Sequence, residues 1–305
     1  MRAFAVTEPD RPPAVVQIPD PTPGRGEILV RVAASSVNGF DLAVAAGRLK
    51  GMMEHRYPVV LGKDFAGTVQ EIGGGTSRFT TGQHIFGVVT KPYLGDGGMG
   101  ELVVVDDNFA SLVPDLVDLP TAGALGLAGS AAVDAVDAAD LKPDQIVLIA
   151  GATGGVGSIA VQYAANTGAT VIATAKPGTE SDFVRELGAA YTADYTTDVD
   201  EQVREIAPGG VDAVIHLAGD PAALTSLLAG AGRFVSTLGF GPDQHPAAIA
   251  IMANPATPTL DRLAADVAAG SLRVPVSHTY PLSDAAAAFN AFSSGTLGKL
   301  GISLA

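Results

Sequence analysis

The chain has 305 residues, a length that accommodates two domains of ordinary size. It contains no cysteine, which excludes disulfides, thiolate zinc sites and cysteine nucleophiles. Its formal net charge of −14 opposes binding to a nucleic acid, and no apolar run reaches the roughly 18 residues of a membrane-spanning helix. We therefore expect no nucleic-acid partner, no membrane span and, without a signal peptide at the start, a cytoplasmic location.

The first 120 residues or so are predicted to be rich in β-strands. Short apolar runs, such as those at residues 3–6, 27–34 and 67–72, alternate with clusters of proline and glycine. The spacing of these runs fits a barrel-like β domain better than a series of βαβ units.

Strands and helices alternate after residue 120. Apolar strands are predicted at residues 146–150, 171–175, 211–217 and 233–238, with helical segments between them. Such alternation predicts an α/β fold with a parallel, doubly wound sheet. Helices at 260–269 and 283–292 and a terminal strand at 298–304 then complete the chain. The predicted domains are a β-rich domain at 1–124 with 266–305 and a dinucleotide-binding domain at 125–265.

A glycine-rich turn follows the strand at 146–150 and opens a helix. Its pattern, A-x-G-G-x-G at residues 152–157, resembles the G-x-G-x-x-G fingerprint of dinucleotide-binding turns. Gly154 allows a pyrophosphate to approach the backbone, and Gly157 allows the helix to pack closely on the strand. The alternative is a glycine turn that binds nothing, but the βαβ context favours a cofactor. The predicted contacts are Ala152, Thr153, Gly154, Gly155, Val156 and Gly157.

The end of the next strand distinguishes NAD from NADP. An NAD site usually has an acidic residue there, whereas this chain has Thr174, Ala175 and Lys176. Lys176 suits a 2′-phosphate, although an isolated lysine is often only a solvated loop residue. The missing acid favours NADP(H) as the cofactor.

Two later loops are predicted to border the same cofactor. They follow parallel strands, and ligands of open α/β sheets bind at the carboxyl ends of the strands. The residues concerned are Ala218, Gly219, Leu238, Gly239 and Phe240.

Three motifs in a fixed order carry a family resemblance: SVNGFD at residues 36–41, GKDFAGTV at 62–69 and ATGGVG at 152–157. With the weaker GK at 298–299, they make the chain resemble the medium-chain dehydrogenase/reductase superfamily. Within it, the chain is similar to the zinc-independent quinone oxidoreductase, or ζ-crystallin-like, branch. The resemblance implies a GroES-like catalytic domain beside a Rossmann domain, NADPH-dependent hydride transfer to a quinone or an α,β-unsaturated carbonyl, and a homodimer.

The resemblance also implies that no metal is bound. Zinc-dependent members have a cysteine where this chain has Asn38, and a histidine and a glutamate where it has Lys63 and Asp64. By resemblance, Asn38 lies beside the nicotinamide and donates to a developing oxyanion; its alternative role is that of a turn residue. Lys63 and Asp64 are either a buried pair that shapes the same cleft or a structural ion pair at the start of a strand.

The substrate pocket is predicted to contain Asn38, Phe40, Tyr57 and Tyr93, and Ser130 stands where relatives have a threonine near the nicotinamide. Ala43 and Ala45 replace polar family residues, so the identity of the substrate stays open. Two alternatives remain: a non-catalytic NADPH-binding sensor or structural protein, and, with less support, an alcohol dehydrogenase-type enzyme.

Overall fold

The computed structural model describes residues 1–75 and 77–304, and the chain forms two compact units. The first unit comprises Met1–Leu127 and Pro255–Ala305, and the second comprises Ala128–Asn254. The return to the first unit therefore begins earlier than the boundary at residue 266 that the sequence suggested. The helix at residues 257–268 belongs to the first unit because Thr257 Oγ1 donates to Ala110 O at 3.2 Å and Ser111 Oγ donates to Asp261 Oδ1 at 2.5 Å.

The strands are numbered along the chain. They are β1 (Arg2–Val6), β2 (Ala14–Gln17), β3 (Glu27–Ser36), β4 (Glu54–His55), β5 (Val59–Val60), β6 (Asp64–Ile72), β7 (His84–Val88), β8 (Tyr93–Leu94), β9 (Leu102–Asp106), β10 (Ala110–Leu112), β11 (Ile146–Ala150), β12 (Thr170–Thr174), β13 (Tyr191–Ala193), β14 (Val211–His216), β15 (Leu228–Ser236), β16 (Ala248–Ala250), β17 (Val276–Pro281) and β18 (Lys299–Ser303).

The helices are numbered in the same way, and short 3₁₀ turns lie at Asp107–Phe109 and Leu282–Asp284. The helices are α1 (Gly39–Ala45), α2 (Leu119–Ala122), α3 (Gly126–Ala139), α4 (Gly155–Asn166), α5 (Thr179–Glu186), α6 (Val199–Ile206), α7 (Pro221–Thr225), α8 (Thr257–Ala268) and α9 (Ala285–Ser293).

The first unit is built on β-sheets, as the sequence predicts. Its largest sheet has the order β10-β7-β6-β3-β18-β17, and β9 also pairs with β3. All of these pairs are antiparallel except β17 with β18. A smaller sheet has the order β2-β1-β5, and β4 pairs with β8. Large side chains such as Phe4, Ile28 and Phe65 fill the core of this unit.

The second unit contains a parallel sheet of the order β13-β12-β11-β14-β15-β16. Renumbered from its first strand, this is the order 3-2-1-4-5-6 of the Rossmann fold, which confirms the predicted doubly wound sheet. The central strands are apolar and buried along almost their whole length, as is typical of parallel strands inside a doubly wound fold. Leu148, Ile172 and Val214 are fully buried there.

No helix in the described part of the chain is both long enough and apolar enough to cross a membrane.

Candidate active site and cofactor pocket

The glycine turn of the second unit has the geometry that its sequence predicts. Gly151 has a φ of +87°, which only glycine adopts easily, and Gly154 is the residue just before α4. A Cβ at Gly157 would lie 2.2 Å from Gly151 O and 2.6 Å from Ala152 Cα, so the helix packs against the turn at a distance that excludes any side chain. A Cβ at Gly154 would meet only Gly151 O, at 3.6 Å. No side chain caps α4 at Gly154, so the first N–H groups of α4 are available to an anion.

A cavity of about 430 Å³ lies next to this turn, within the second unit. Its size suits a small ligand or one part of a larger one. The cavity lies at the carboxyl edge of the parallel sheet, and its lining residues are Ala150, Gly151, Thr153, Thr174, Tyr195, Val199, Ala218, Gly219, Asp220, Ala223 and Leu224. Thr153, Thr174, Ala218 and Gly219 were predicted cofactor contacts. The other seven lining residues were not among the predicted contacts; the sequence around Tyr195, Val199, Ala223 and Leu224 carries no motif.

The end of β12 is tied to the glycine turn. The hydroxyl of Thr174 accepts a hydrogen bond from Gly151 N at 2.9 Å. Ala175, the next residue, is 1% exposed, and its backbone N donates to Ala193 O at 2.9 Å. The strand end is thus fixed, and only the following residue, Lys176, extends into solvent.

An acidic side chain reaches this strand end from the first turn of α5, which the sequence did not reveal. Glu180 Oε2 accepts a hydrogen bond from the backbone N of Lys176 at 2.9 Å, and Glu180 Oε1 lies 3.2 Å from Lys176 Nζ. Tyr195 donates its hydroxyl to Glu180 Oε1 at 3.1 Å, and its ring centroid lies 5.5 Å from Lys176 Nζ. The Tyr195 oxygen and then the Glu180 carboxylate raise the pKa of Lys176.

His216 connects the two later loops that were predicted to border the cofactor. It ends β14, is 2% exposed, and its Nε2 donates to Gly219 O at 3.2 Å, since a carbonyl can only accept. Its Nδ1 therefore accepts from the hydroxyl of Ser236 at 2.9 Å, and Ser236 Oγ in turn accepts from Leu238 N at 3.0 Å. This chain of hydrogen bonds links the loop after β14 to the loop after β15.

The remaining predicted cofactor residues do not line this cavity. Leu238 and Gly239 are exposed beyond β15, Phe240 packs against Phe234 with ring centroids 5.3 Å apart, and Ser130 is fully buried on α3. The loop that contains Leu238 and Gly239 is joined to Ser236 by a hydrogen bond from Leu238 N. The roles of Ser130, Leu238, Gly239 and Phe240 stay predictions.

Asn38 is held by hydrogen bonds within the first unit. It immediately precedes α1, is 8% exposed, and its backbone N donates to Asp41 Oδ2 at 2.9 Å. Its side-chain Nδ2 donates to Asp64 Oδ2 at 2.8 Å, and its Oδ1 accepts from Lys299 Nζ at 2.5 Å. An ammonium can only donate and a carboxylate can only accept, so these two neighbours fix which end of the amide is oxygen.

Asp64 is fully buried, and its ion-pair partner is Lys299 on β18, with Oδ2 and Nζ 3.4 Å apart. Asp64 also accepts hydrogen bonds from Ser36 Oγ at 2.5 Å and from Leu127 N at 2.7 Å. Lys299 is 3% exposed. A buried carboxylate and a buried ammonium thus satisfy each other and hold Asn38 between them.

The structure does not show the suggested ion pair between Lys63 and Asp64. The ammonium of Lys63, which is half-buried, donates to Val89 O and lies 5.1 Å from the ring centroid of Phe40. The two residues are neighbours in sequence at the start of a strand, so their side chains point to opposite faces of the sheet. Burial lowers the pKa of Lys63, while Asp41 and Asp64 oppose that effect.

Asp41 is a second buried carboxyl beside this group. It is 1% exposed, and its Oδ1 accepts a hydrogen bond from Gly62 N at 3.2 Å. Burial, and then the charge of Asp64, raise the pKa of Asp41 from 3.8 to about 7. The first unit therefore encloses two carboxyl groups, Asp41 and Asp64, and the buried ammonium of Lys299 pairs with Asp64.

The structure does not bring the four predicted pocket residues into one cavity. Phe40 and Tyr93 line a cavity of about 20 Å³, large enough for one water molecule, whereas Tyr57 lines a depression of about 340 Å³. Val44 and Val59 line both, so the two spaces adjoin. Tyr93 donates its hydroxyl to Asp96 Oδ2 at 2.9 Å, and Tyr57 stacks on His55 with ring centroids 6.0 Å apart.

In residues 1–75 and 77–304, no group of three or more histidine, aspartate or glutamate side chains is placed to hold a metal ion.

Two family models match the chain. The model of the alcohol dehydrogenase GroES-like domain covers residues 24–115, which agrees with the GroES-like domain that the sequence predicted. The model of the zinc-binding dehydrogenase covers residues 155–258.

A chloroplast envelope quinone oxidoreductase homolog of Arabidopsis thaliana is 32% identical to the chain over 209 residues. These residues are 67% of this chain and 63% of that protein, so the chain spans less than two thirds of this relative's length.

Solved structures match the fold over the whole chain. The quinone oxidoreductase from Coxiella burnetii has a TM-score of 0.89 at 26% identity and covers 100% of this chain and 99% of its own. A mycobacterial protein solved in complex with NADPH has a TM-score of 0.86 at 25% identity, and an NAD-dependent alcohol dehydrogenase has 0.88 at 26%. Each of these last two covers 100% of both chains. From its ordered motifs, its Rossmann sheet and these matches, the chain belongs to the medium-chain dehydrogenase/reductase superfamily, and quinone oxidoreductases are among its relatives.

Proposed function

We propose that the protein is an NADPH-dependent oxidoreductase that transfers hydride to a quinone or to an α,β-unsaturated carbonyl compound without a metal. The observation that carries this proposal is the glycine turn, with its adjoining cavity of about 430 Å³ at the carboxyl edge of a Rossmann sheet. Relatives that are named as quinone oxidoreductases support the choice of the substrate class.

The second unit has the features that a nicotinamide dinucleotide needs. Gly157 allows close packing of α4, and the uncapped start of the helix at Gly154 offers N–H groups to the pyrophosphate. The cavity beside Thr174 and Tyr195 suits the adenosine end of the cofactor. Lys176, the first solvated residue after β12, supports NADPH over NADH because its ammonium can pair with a 2′-phosphate. The bound cofactor would supply the hydride.

Asn38 is suited to polarise a substrate carbonyl. One of its two Nδ2 hydrogens is donated to Asp64, and the other has no acceptor in the described part of the chain. Because Lys299 and Asp64 fix the orientation of the amide, this second N–H is already aligned before the substrate arrives. A donor that needs no reorientation stabilises a developing negative charge on the carbonyl oxygen more than a mobile one.

The same contacts argue against zinc. The ammonium of Lys299 contacts Asn38 and Asp64, which stand at two of the positions where zinc-dependent relatives have metal ligands. An amide and a carboxylate that already hold an ammonium leave no room for a second cation, and the third position is Lys63, itself a cation. The residues present therefore do not fit a zinc ion.

The proposal is tested by following the absorbance of NADPH with benzoquinone, phenanthrenequinone, a 2-alkenal and a cyclic enone, with and without a chelator. We expect turnover that the chelator leaves unchanged, and a roughly 100-fold loss of kcat in Asn38→Ala, the usual effect of removing an oxyanion donor. Asn290→Ala, which changes an exposed asparagine on α9, is the control and should retain full activity.

Binding of NADPH without reduction of any acceptor would instead favour a binding protein. Activity that needs added zinc would contradict the metal-free mechanism.

A further inference from the structure

Glu180 lies where the two cofactors differ chemically. NADPH carries a 2′-phosphate on its adenosine ribose, whereas NADH carries a 2′-hydroxyl at that position. The carboxylate of Glu180 is 20% exposed and stands at the carboxyl end of β12, beside Tyr195, which lines the cavity. In dinucleotide-binding folds this strand end faces the adenosine ribose.

The carboxylate of Glu180 occupies the two groups that would otherwise bind a phosphate. It accepts the hydroxyl of Tyr195 at 3.1 Å and lies 3.2 Å from the ammonium of Lys176. It also accepts from the backbone N of Lys176 at 2.9 Å, which anchors it at this place. A 2′-phosphate must therefore compete with Glu180 for both groups, and the negative charges of the two repel each other.

The same carboxylate suits a 2′-hydroxyl. A ribose hydroxyl can donate to Glu180, as it does to the acidic residue at the strand end of NAD sites, without breaking the contact with Lys176. The acid that is missing from the sequence at the end of β12 is thus supplied from α5, four residues after Lys176.

We propose that Glu180 is a specificity-determining residue that limits the preference of this site for NADPH over NADH, by holding Lys176 and Tyr195 and by accepting the 2′-hydroxyl of NADH. This inference rests on the proposed function. Removing the charge of Glu180 while keeping its shape weakens its hold on the ammonium of Lys176 and the hydroxyl of Tyr195, so that both can turn toward the 2′-phosphate, and it weakens the contact with the 2′-hydroxyl.

The test is isothermal titration of the full-length protein with NADPH and NADH, because it reports binding whether or not an acceptor is reduced. In Glu180→Gln, we expect the ratio of the dissociation constants for NADH and NADPH to rise about tenfold over that of the wild type. Asp182→Asn is the matched control: it removes the same charge from the same helix turn, and Asp182 is exposed. It should change the ratio less than about twofold.

A second variant tests the proposed contact. Tyr195→Phe in the Glu180→Gln background should lower the ratio of the dissociation constants part of the way back to the wild-type value, since the hydroxyl that could contact the 2′-phosphate is then absent. The inference is overturned if Glu180→Gln changes the ratio no more than Asp182→Asn, or shifts it toward NADH. When the wild type binds both cofactors, these outcomes overturn only the inference about Glu180 and leave the proposed function standing. If the wild type binds neither cofactor, both the proposed function and the inference about Glu180 fail.

Discussion

Removal of the ammonium of Lys299 tests the buried group that holds Asn38. In Lys299→Met, Asp64 loses its counter-charge while it remains fully buried. Breaking a buried ion pair in this way costs about 3–5 kcal/mol, several times the effect of an exposed pair. We therefore expect the free energy of unfolding to fall by about 3 kcal/mol or more at neutral pH.

A second substitution should recover part of this loss. In Lys299→Met with Asp64→Asn, no uncompensated carboxylate remains at residue 64, and the amide of Asn38 is free to turn its oxygen toward the new amide. We expect the double variant to be at least about 1.5 kcal/mol more stable than the single one, because the cost of an unpaired buried charge is removed.

The assay is urea unfolding followed by far-UV circular dichroism, since the chain contains no tryptophan. Lys50→Met is the control: Lys50 pairs with Asp10 in the same unit, but its side chain is 41% exposed and that of Asp10 is 85% exposed. It should leave the free energy of unfolding close to that of the wild type. The reasoning fails if Lys299→Met costs no more than Lys50→Met, or if the double variant is no more stable than the single one.

Three further predictions concern other parts of the molecule. Gly157→Ala should lower the free energy of unfolding by about 2 kcal/mol or more, since its Cβ would lie 2.2 Å from a backbone oxygen. Gly154→Ala should fold normally, since its Cβ would lie 3.6 Å from the same oxygen, and should only weaken cofactor binding. Ser236→Ala, which leaves His216 Nδ1 without its donor, should raise the dissociation constant for NADPH about tenfold. The raised pKa of Asp41 predicts that the contribution of this group to stability is fully present below its unfolded-state pKa of 3.8 and is lost as the pH rises through about 7.

Each of these has its own measurement. Urea unfolding measures the stability of the two glycine variants. Equal stability of both would contradict the argument that α4 packs too closely on the turn at Gly157 to allow a side chain. For Ser236→Ala, titration with NADPH measures the dissociation constant. Ser111→Ala is the control, because Ser111 is a buried serine outside the second unit. Equal dissociation constants in the two variants would show that the hydrogen-bond chain does not position the loops. For Asp41, the free energy of unfolding is measured between pH 4 and 7 in the wild type and in Asp41→Asn. The predicted fall in this free energy should be absent in the variant.

The second unit was predictable because its signals are local. The strand predicted at 146–150 is β11, and the glycine turn and α4 follow it in the predicted order. Gly168 has a φ of +85°, as a glycine at the end of a helix requires. Each of these features depends on residues that lie within a few positions of one another, so the pattern in the sequence contains the information.

The details of the sites were not predictable in this way. Lys299 pairs with Asp64 across 235 residues, and only the sheet order that places β18 beside β3 brings the two together. No motif in the sequence marks Glu180, and its contact with Tyr195 depends on how the loop after β12 turns. Neither the pairing of distant strands nor the course of such a loop is encoded in a short motif.

The position of β18 also has a consequence for synthesis on the ribosome. The second unit is continuous in sequence and is complete at Asn254, whereas the largest sheet of the first unit needs β18 between β3 and β17. Until residue 299 has emerged, Asp64 has no Lys299 ammonium as its partner, and β3 lacks its pairing with β18 at residues 34–36. The nascent chain can therefore fold its Rossmann unit first. The first unit, which contains Asn38, completes its largest sheet only after β18 has emerged, and until then that sheet presents an unpaired strand edge to other chains.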